Sequence, residues 1–233
     1  MARRALDFDL GGVETPHFEG FGPDAFAFFR ELAANQNRDW FLANKARYEA
    51  QVRAPFGALV VDLSAALAER AIPFRGDPKT ALFRIHRDVR FSNDKRPYKT
   101  NAGAVLHRDG MKTEPGMIYI HISPEGCFAG AGYYHPEPKT LAGIRRIIAE
   151  RPAAWREITA ALDEAGLELG QSDKLTRTPK GFEGVADPDL IDALKLKSFM
   201  IRKALDQDAV CGPNLVELLA DFAEQASPIF RLS

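Results

Sequence analysis

The sequence predicts an α+β fold, in which helices from both chain ends pack on a mainly antiparallel sheet of about 4–6 strands. Apolar residues recur at helical spacing up to about residue 70, alternate with polar residues between 81 and 135, and then return to helical spacing. Short connections separate the alternating segments, which favours antiparallel pairing. We expect a single domain over residues 1–233, with residues 1–17 as a flexible lead-in.

The first part of the chain contains two helix starts and a third helical stretch after Pro55. Pro23 suits the first turn of a helix, and Asn37 is a favourable N-cap residue. The residue before Pro55 is expected to end or bend the second helix. Residues at helical spacing mark one face of each helix: Phe26, Phe29 and Leu32 in the first, Trp40, Asn44 and Tyr48 in the second, and Leu59, Leu63 and Leu67 in the third.

The middle of the chain contains four predicted strands. They are residues 82–86, residues 102–107, Met117–Ile122 and Cys127–Tyr133. Residues 199–201, within 197–204, are predicted to add a further strand. Gly130 and Gly132 fall on one face of their strand, where another backbone or a ligand can approach closely.

Three helices are predicted after the strand block. Pro138 suits the first turn of one helix, residues 155–165 form another, and Pro213 opens the last. Apolar residues at helical spacing are Leu141, Ile144, Ile147 and Ile148 in the first helix, and Leu215, Leu218, Leu219 and Phe222 in the last.

Composition excludes several classes of protein. The 31 basic and 32 acidic side chains give a net charge of -1, which disfavours a generally basic nucleic-acid coat protein. No segment approaches the roughly 18 to 20 consecutive apolar residues that span a bilayer. Acidic residues follow the basic start of the chain, so no secretory signal is predicted. Two cysteines, Cys127 and Cys211, are too few for a disulfide scaffold, and we expect a cytoplasmic protein with both thiols reduced.

Residues 84–99 concentrate positive charge in an otherwise near-neutral chain. Only two carboxylates, Asp88 and Asp94, accompany six cations, so some cations need a partner from elsewhere. Arginine grips carboxylate or phosphate through two hydrogen bonds, while lysine supplies a point charge. The predicted ligand-binding residues are Arg84, Arg87, Arg90, Lys95, Tyr98 and Lys99.

This segment resembles a known family. The pattern R-x-x-R-D-x-R-F-x-x-D-K-x-x-Y-K, from Arg84 to Lys99, is similar to the signature of an uncharacterised microbial family, domain of unknown function 2461. The resemblance extends over nearly the whole chain, and further similar segments are residues 18–21, 37–48, 136–138, 180–182 and 194–199. It implies kinship and brings no established activity.

Candidate catalytic residues are two carboxylates and two histidines of the same region. Asp88 or Asp94 could orient the arginines or act as a base, and His86 or His121 could act as an acid or base near neutral pH. Alternation predicts that Arg84 shares a face with His86, and Tyr119 with His121.

Other chemistry has less support in the sequence. No tight metal-ligand spacing and no phosphate-binding P-loop is present, so neither a metal nor a cofactor is predicted. Ser92 lacks a Gly-x-Ser-x-Gly frame, and Cys127 is interpreted as a small core residue.

Three functional hypotheses remain open. The first is an anionic ligand, phosphorylated or carboxylated, bound by the basic segment in a pocket beside the sheet, whether or not the protein is an enzyme. The second is nucleic-acid binding, which the net charge disfavours, with bases stacked on Phe91, Tyr98, Tyr133 or Tyr134. The third is a structural or partner-docking motif without a small-molecule ligand.

Overall fold

The structure is a computed structural model that describes residues 17–90 and 93–232. Over those residues the chain forms a five-stranded sheet in the order β1-β2-β3-β4-β5, with every neighbouring pair antiparallel. The strands are β1 (Phe74–Arg75), β2 (Ala102–Arg108), β3 (Met117–Ile122), β4 (Cys127–Tyr133) and β5 (Phe199–Leu205). Helices precede and follow the sheet along the chain, which confirms the α+β fold. Residues 1–16, most of the predicted lead-in, and Phe91 and Ser92 lie outside the described residues.

The amino-terminal helices begin where the sequence predicts but are more divided. They are α1 (Pro23–Ala34), α2 (Arg38–Ala43), α3 (Lys45–Tyr48) and α4 (Ala54–Glu69), with a π-helical turn at Glu49–Arg53. Asn37 caps α2, because its side-chain oxygen accepts a hydrogen bond from the Trp40 amide at 2.9 Å. Asn44 bonds the Trp40 carbonyl through its side chain and separates α2 from α3. The π-helical turn comes just before Pro55, which has no amide hydrogen to continue an α-helical ladder.

The carboxy-terminal helices include two that the sequence did not predict. They are α5 (Pro138–Glu150), α6 (Pro152–Glu164), α7 (Pro188–Leu194), α8 (Gln207–Cys211) and α9 (Leu215–Ala226), followed by a 3-10 helix at Ser227–Leu232. The short helices α7 and α8 were missed because neither is long enough to establish a helical period. The last helix begins at Leu215, with Asn214 and not Pro213 immediately before it.

Residues 82–86 are the predicted strand that the structure corrects. They form only isolated bridges, from Leu82 to Ala104 and from His86 to Tyr98. The pairing partner changes between these two bridges, so no continuous ladder forms. Conversely, the two-residue strand β1 was not predicted, since two residues cannot establish an alternating pattern.

The core lies on one face of the sheet. Burial alternates along β3, where Ile118 and Ile120 are fully buried and Tyr119 and His121 are half-buried. Helix α4 contacts β1 and β2, and α9 contacts β4. Of the helices in the described residues, none is long and apolar enough to span a membrane.

The amino- and carboxy-terminal parts of the described chain meet in this core. Phe230 packs on Phe74 at a ring-centroid distance of 4.3 Å and on Tyr133 at 6.2 Å. The Phe21 amide donates a hydrogen bond to the Val210 carbonyl at 3.1 Å. Segments far apart in sequence therefore complete one another's packing.

Candidate functional site

Residues 84–90 and 93–99 form the two arms of a hairpin, called here the basic hairpin, and backbone hydrogen bonds close its base. The Arg87 amide donates to the Pro97 carbonyl at 2.9 Å, and the Lys99 amide donates to the Ile85 carbonyl at 2.8 Å. These bonds flank the bridge between His86 and Tyr98. The charged residues between them are therefore held on a connection whose two ends are paired.

Both carboxylates of the basic hairpin are held by its arginines. Asp94 accepts from Arg87 at 2.7 Å and from Arg96 at 2.6 Å, and Asp88 accepts from Arg90 at 2.7 Å. The hydrogen bonds from Arg96 and Arg90 lower the pKa of Asp94 and of Asp88, respectively. Carboxylates held ionised in this way are weak proton acceptors near neutral pH, and their geometry suits positioning the arginines.

The remaining three cations of the basic hairpin have no carboxylate within ion-pair distance among residues 17–90 and 93–232. They are Arg84, Lys95 and Lys99. Lys95 donates instead to the Val89 carbonyl at 2.9 Å, and the Lys99 ammonium lies 5.3 Å from the centre of the Phe83 ring. Burial lowers the pKa of Lys99, and the charges of Arg84 and Arg87 lower it further. Positive charge is thus concentrated around a partly desolvated lysine.

Tyr98 anchors the basic hairpin in the core. Its side chain is 4% exposed and stacks on Phe41 of α2 at 4.5 Å, while its amide donates to the Gln36 side chain at 3.0 Å. The exposed His86 lies beside it, with the two ring centres 5.2 Å apart. The contacts of Tyr98 with Phe41 and Gln36 hold the base of the hairpin against the amino-terminal helices, and little of the Tyr98 side chain is exposed to a ligand.

The half-exposed side of the sheet carries a second cluster, called here the Tyr119 face and defined by Phe83, Gly103, Tyr119, His121, Phe128, Gly130 and Arg202. The Tyr119 hydroxyl lies 3.0 Å from Nδ1 of His121. The His121 ring stacks on Phe128 at 4.6 Å, and the Arg202 guanidinium lies 3.9 Å from the centre of that same ring. The face therefore joins aromatic surface, a hydrogen-bonding pair and an exposed cation.

Burial sets the protonation of the Tyr119–His121 pair. Burial lowers the pKa of His121, and the positive charge of Arg202 lowers it further, while the negative charge of Glu125 raises it. Burial raises the pKa of Tyr119. Near neutral pH the imidazole is consequently neutral and the phenol protonated, so the pair offers both a donor and an acceptor.

Phe83 connects the basic hairpin to the Tyr119 face. Its ring contacts Tyr119 with centroids 6.1 Å apart, and Lys99 lies against the same ring. The sequence predicts a shared face for Arg84 and His86 and another for Tyr119 and His121, and leaves open whether the two faces coincide. The ring contacts of His86 are with Phe41 and Tyr98, whereas those of His121 are with Tyr119 and Phe128.

The sequence interpretation missed Phe83, Phe128 and Arg202 as parts of a site. Strand register was the available signal, because Phe128 pairs with His121, and Gly130 pairs with both Tyr119 and Arg202. Of the other aromatic residues proposed for base stacking, Tyr133 is 1% exposed and Tyr134 is 61% exposed. Phe91 lies outside the described residues.

One cavity lies elsewhere in the fold. It has a volume of about 350 Å³ and lies between α6, α7 and the segment that joins them, with Trp155, Leu167 and Leu196 in its wall and Asp163 and Asp189 also lining it. The pocket predicted beside the basic hairpin stays a prediction.

A family model described as "Conserved hypothetical protein (DUF2461)" matches residues 24–231. The chain belongs to this family. The matched range includes the basic hairpin and all of the Tyr119 face, so both features lie within the DUF2461 region. No curated protein and no solved structure matches the chain. The side chains of this DUF2461 protein are therefore the basis on which its function is inferred.

Proposed function

We propose that this DUF2461 protein binds an anionic ligand, phosphorylated or carboxylated, where the basic hairpin adjoins the Tyr119 face. The observation that carries the proposal is the environment of Lys99. This lysine is half-buried beside Arg84 and Arg87, and no carboxylate of the described residues lies within ion-pair distance of Lys99 or Arg84.

The electrostatics of this cluster favour an external anion. Mutual repulsion and partial burial both disfavour the charged form of Lys99. A phosphate or carboxylate beside it would reverse that effect and could accept hydrogen bonds from the Arg84 guanidinium as well. Asp88 and Asp94 act in this proposal as positioning residues that hold Arg90, Arg87 and Arg96.

The direct test is thermal unfolding at constant ionic strength with inorganic phosphate, sulfate, sugar phosphates and dicarboxylates. A ligand at a concentration a hundred times its dissociation constant raises the free energy of unfolding by about 2.7 kcal/mol. Each kcal/mol raises the midpoint of thermal unfolding by roughly 2–4 °C in a domain of this size. We expect at least one of these anions to raise the midpoint of the wild-type protein.

Two variants locate the site. Lys99→Met removes the charge, keeps an apolar stem against Phe83 and should abolish most of the anion-dependent shift. Lys139→Ala removes an exposed lysine of α5 and is the matched control, which should respond as the wild type does. Equal responses of Lys99→Met and wild type would contradict the proposal.

A further inference from the structure

We propose that the anion is the phosphate of a free nucleotide whose base packs against Phe83 on the Tyr119 face. This inference rests on the proposed function, since the phosphate would be held by Lys99 and Arg84. It adds that the ligand carries a planar aromatic group, which the basic hairpin alone does not require.

Two glycines on the Tyr119 face lie beneath neighbouring side chains. A Cβ atom added at Gly103 would lie 2.8 Å from the Tyr119 hydroxyl, and one added at Gly130 would lie 3.2 Å from the Met200 methyl. The absence of side chains at these two positions therefore lets Tyr119 and Met200 lie close to the sheet. Tyr119 and Met200 thus form a surface close to the sheet, called here the floor.

Phe83 is the exposed aromatic element of this floor. This residue is 50% exposed although its ring contacts Tyr119. Base–aromatic stacking accepts every base, because every base has a π-face. Phe83 therefore gives the ligand a stacking surface that adjoins the anion cluster.

Lys99 places the proposed phosphate-binding group next to the proposed base-binding surface. Lys99 and Tyr119 both contact Phe83, so the cationic group and the aromatic floor share one side chain. A nucleotide likewise carries a charged phosphate and an aromatic base on one sugar, so both groups can bind at neighbouring positions. The Tyr119–His121 pair adds a donor and an acceptor at the floor, groups that can bond the polar edge of a base.

A free nucleotide fits better than a nucleic-acid strand. A strand needs cations that follow successive phosphates along a groove. Here the cation in contact with Phe83 is Lys99, with Arg84 and Arg87 beside it, and the whole chain has a net charge of -1. This single group of cations matches one phosphate group.

The test compares adenosine 5′-monophosphate, uridine 5′-monophosphate and ribose 5-phosphate by isothermal titration with the full chain. Base stacking should make both nucleotides bind about tenfold more tightly than the sugar phosphate. Phe83→Leu changes an exposed residue, so folding should be preserved. The affinity of each nucleotide, divided by the affinity of ribose 5-phosphate for the same variant, should fall to about two or less.

The outcomes separate this inference from the proposed function. Equal affinities for the three ligands, all weakened in Lys99→Met, would overturn the nucleotide assignment and leave the anion site standing. No binding of any of the three would overturn the nucleotide assignment, and if the wider anion panel also gave no shift the proposed function would fail with it. A short single-stranded DNA that binds far more tightly than either nucleotide, with an affinity that falls steeply with salt, would overturn the choice of a free nucleotide.

Discussion

The phenol ring of Tyr119 in β3 lies across Gly103 of the neighbouring strand β2. A Cβ atom at position 103 would lie 2.8 Å from the phenol oxygen, which is closer than real Cβ atoms approach, and 3.0 Å from a ring carbon, which is a tight contact. From this position the hydroxyl reaches Nδ1 of His121 at 3.0 Å. A glycine on one strand thus determines a hydrogen bond made entirely by side chains of the next.

Replacing this glycine tests that dependence. Gly103→Ala should lower the free energy of unfolding by about 1–3 kcal/mol, because the added methyl group must displace Tyr119. Chemical denaturation measures this loss. Gly143→Ala is the matched control, since nothing lies within 4 Å of its added Cβ in α5. It should instead raise stability by about 0.5–1 kcal/mol, and a similar result for both variants would refute the close packing at Gly103.

The two histidines with lowered pKa values predict how stability depends on pH. Burial lowers the pKa of both His107 and His121 below the ordinary value of 6.5. The unfolded chain then binds more protons than the folded one as the pH falls below about 6.5, so acidification should destabilise the protein. Unfolding midpoints between pH 8 and pH 5 measure this, because ordinary carboxylates with a pKa near 4 stay largely ionised over that range.

Single substitutions show which histidine causes the pH dependence of stability. His121→Gln and His107→Gln should each flatten the decrease in stability between pH 7 and pH 5 relative to the wild type. An unchanged slope in both variants would show that other groups cause it. Titration of the His121 ring by nuclear magnetic resonance gives an independent value for its pKa.

Asp94 distinguishes an anion site from a self-contained ion-pair network. Asp94→Asn removes the carboxylate shared by Arg87 and Arg96 without changing the size of the side chain. If the basic hairpin binds an anion, affinity for phosphate should rise by roughly fivefold at low ionic strength, because one competing negative charge is gone while the asparagine amide oxygen can still accept a hydrogen bond that positions an arginine. A loss of stability with no gain in phosphate affinity would favour the structural or partner-docking hypothesis.

Substitutions of Tyr98 test whether its side chain serves the core or contacts a ligand. Tyr98→Ala should cost about 3–5 kcal/mol, because it removes a buried ring stacked on Phe41. Tyr98→Phe keeps that ring, and we expect it to leave anion affinity unchanged in the same titration. Weaker anion binding by Tyr98→Phe would instead support the ligand-binding role predicted from the sequence.

Periodicity predicted the long elements and failed where pairing depends on distant residues. The strands Met117–Ile122 and Cys127–Tyr133 and the cap at Asn37 follow from local pattern alone. Residues 82–86 have the same alternation, yet their partners change from β2 to the returning arm of the basic hairpin. No local rule specifies that change, because it is set by tertiary packing.

The excess of cations at the candidate site could be predicted from the sequence, whereas the contacts among its aromatic residues could not. The excess of cations over carboxylates in residues 84–99 is visible in the sequence, and three of those cations lack a carboxylate partner among the described residues. The contact of Phe83 with Tyr119 is not visible, since residues 36 positions apart meet only through strand pairing. Which arginine each aspartate binds likewise depends on hairpin geometry.

The contacts of Phe230 and Val210 with the amino-terminal half have a consequence for synthesis. Helices α1 to α4 leave the ribosome long before these residues, at about 5–20 residues per second. Phe21, which precedes α1, and Phe74 in β1 lack these partners for on the order of ten seconds or more. The nascent amino-terminal half is therefore the form of this protein that chaperones and proteases meet first.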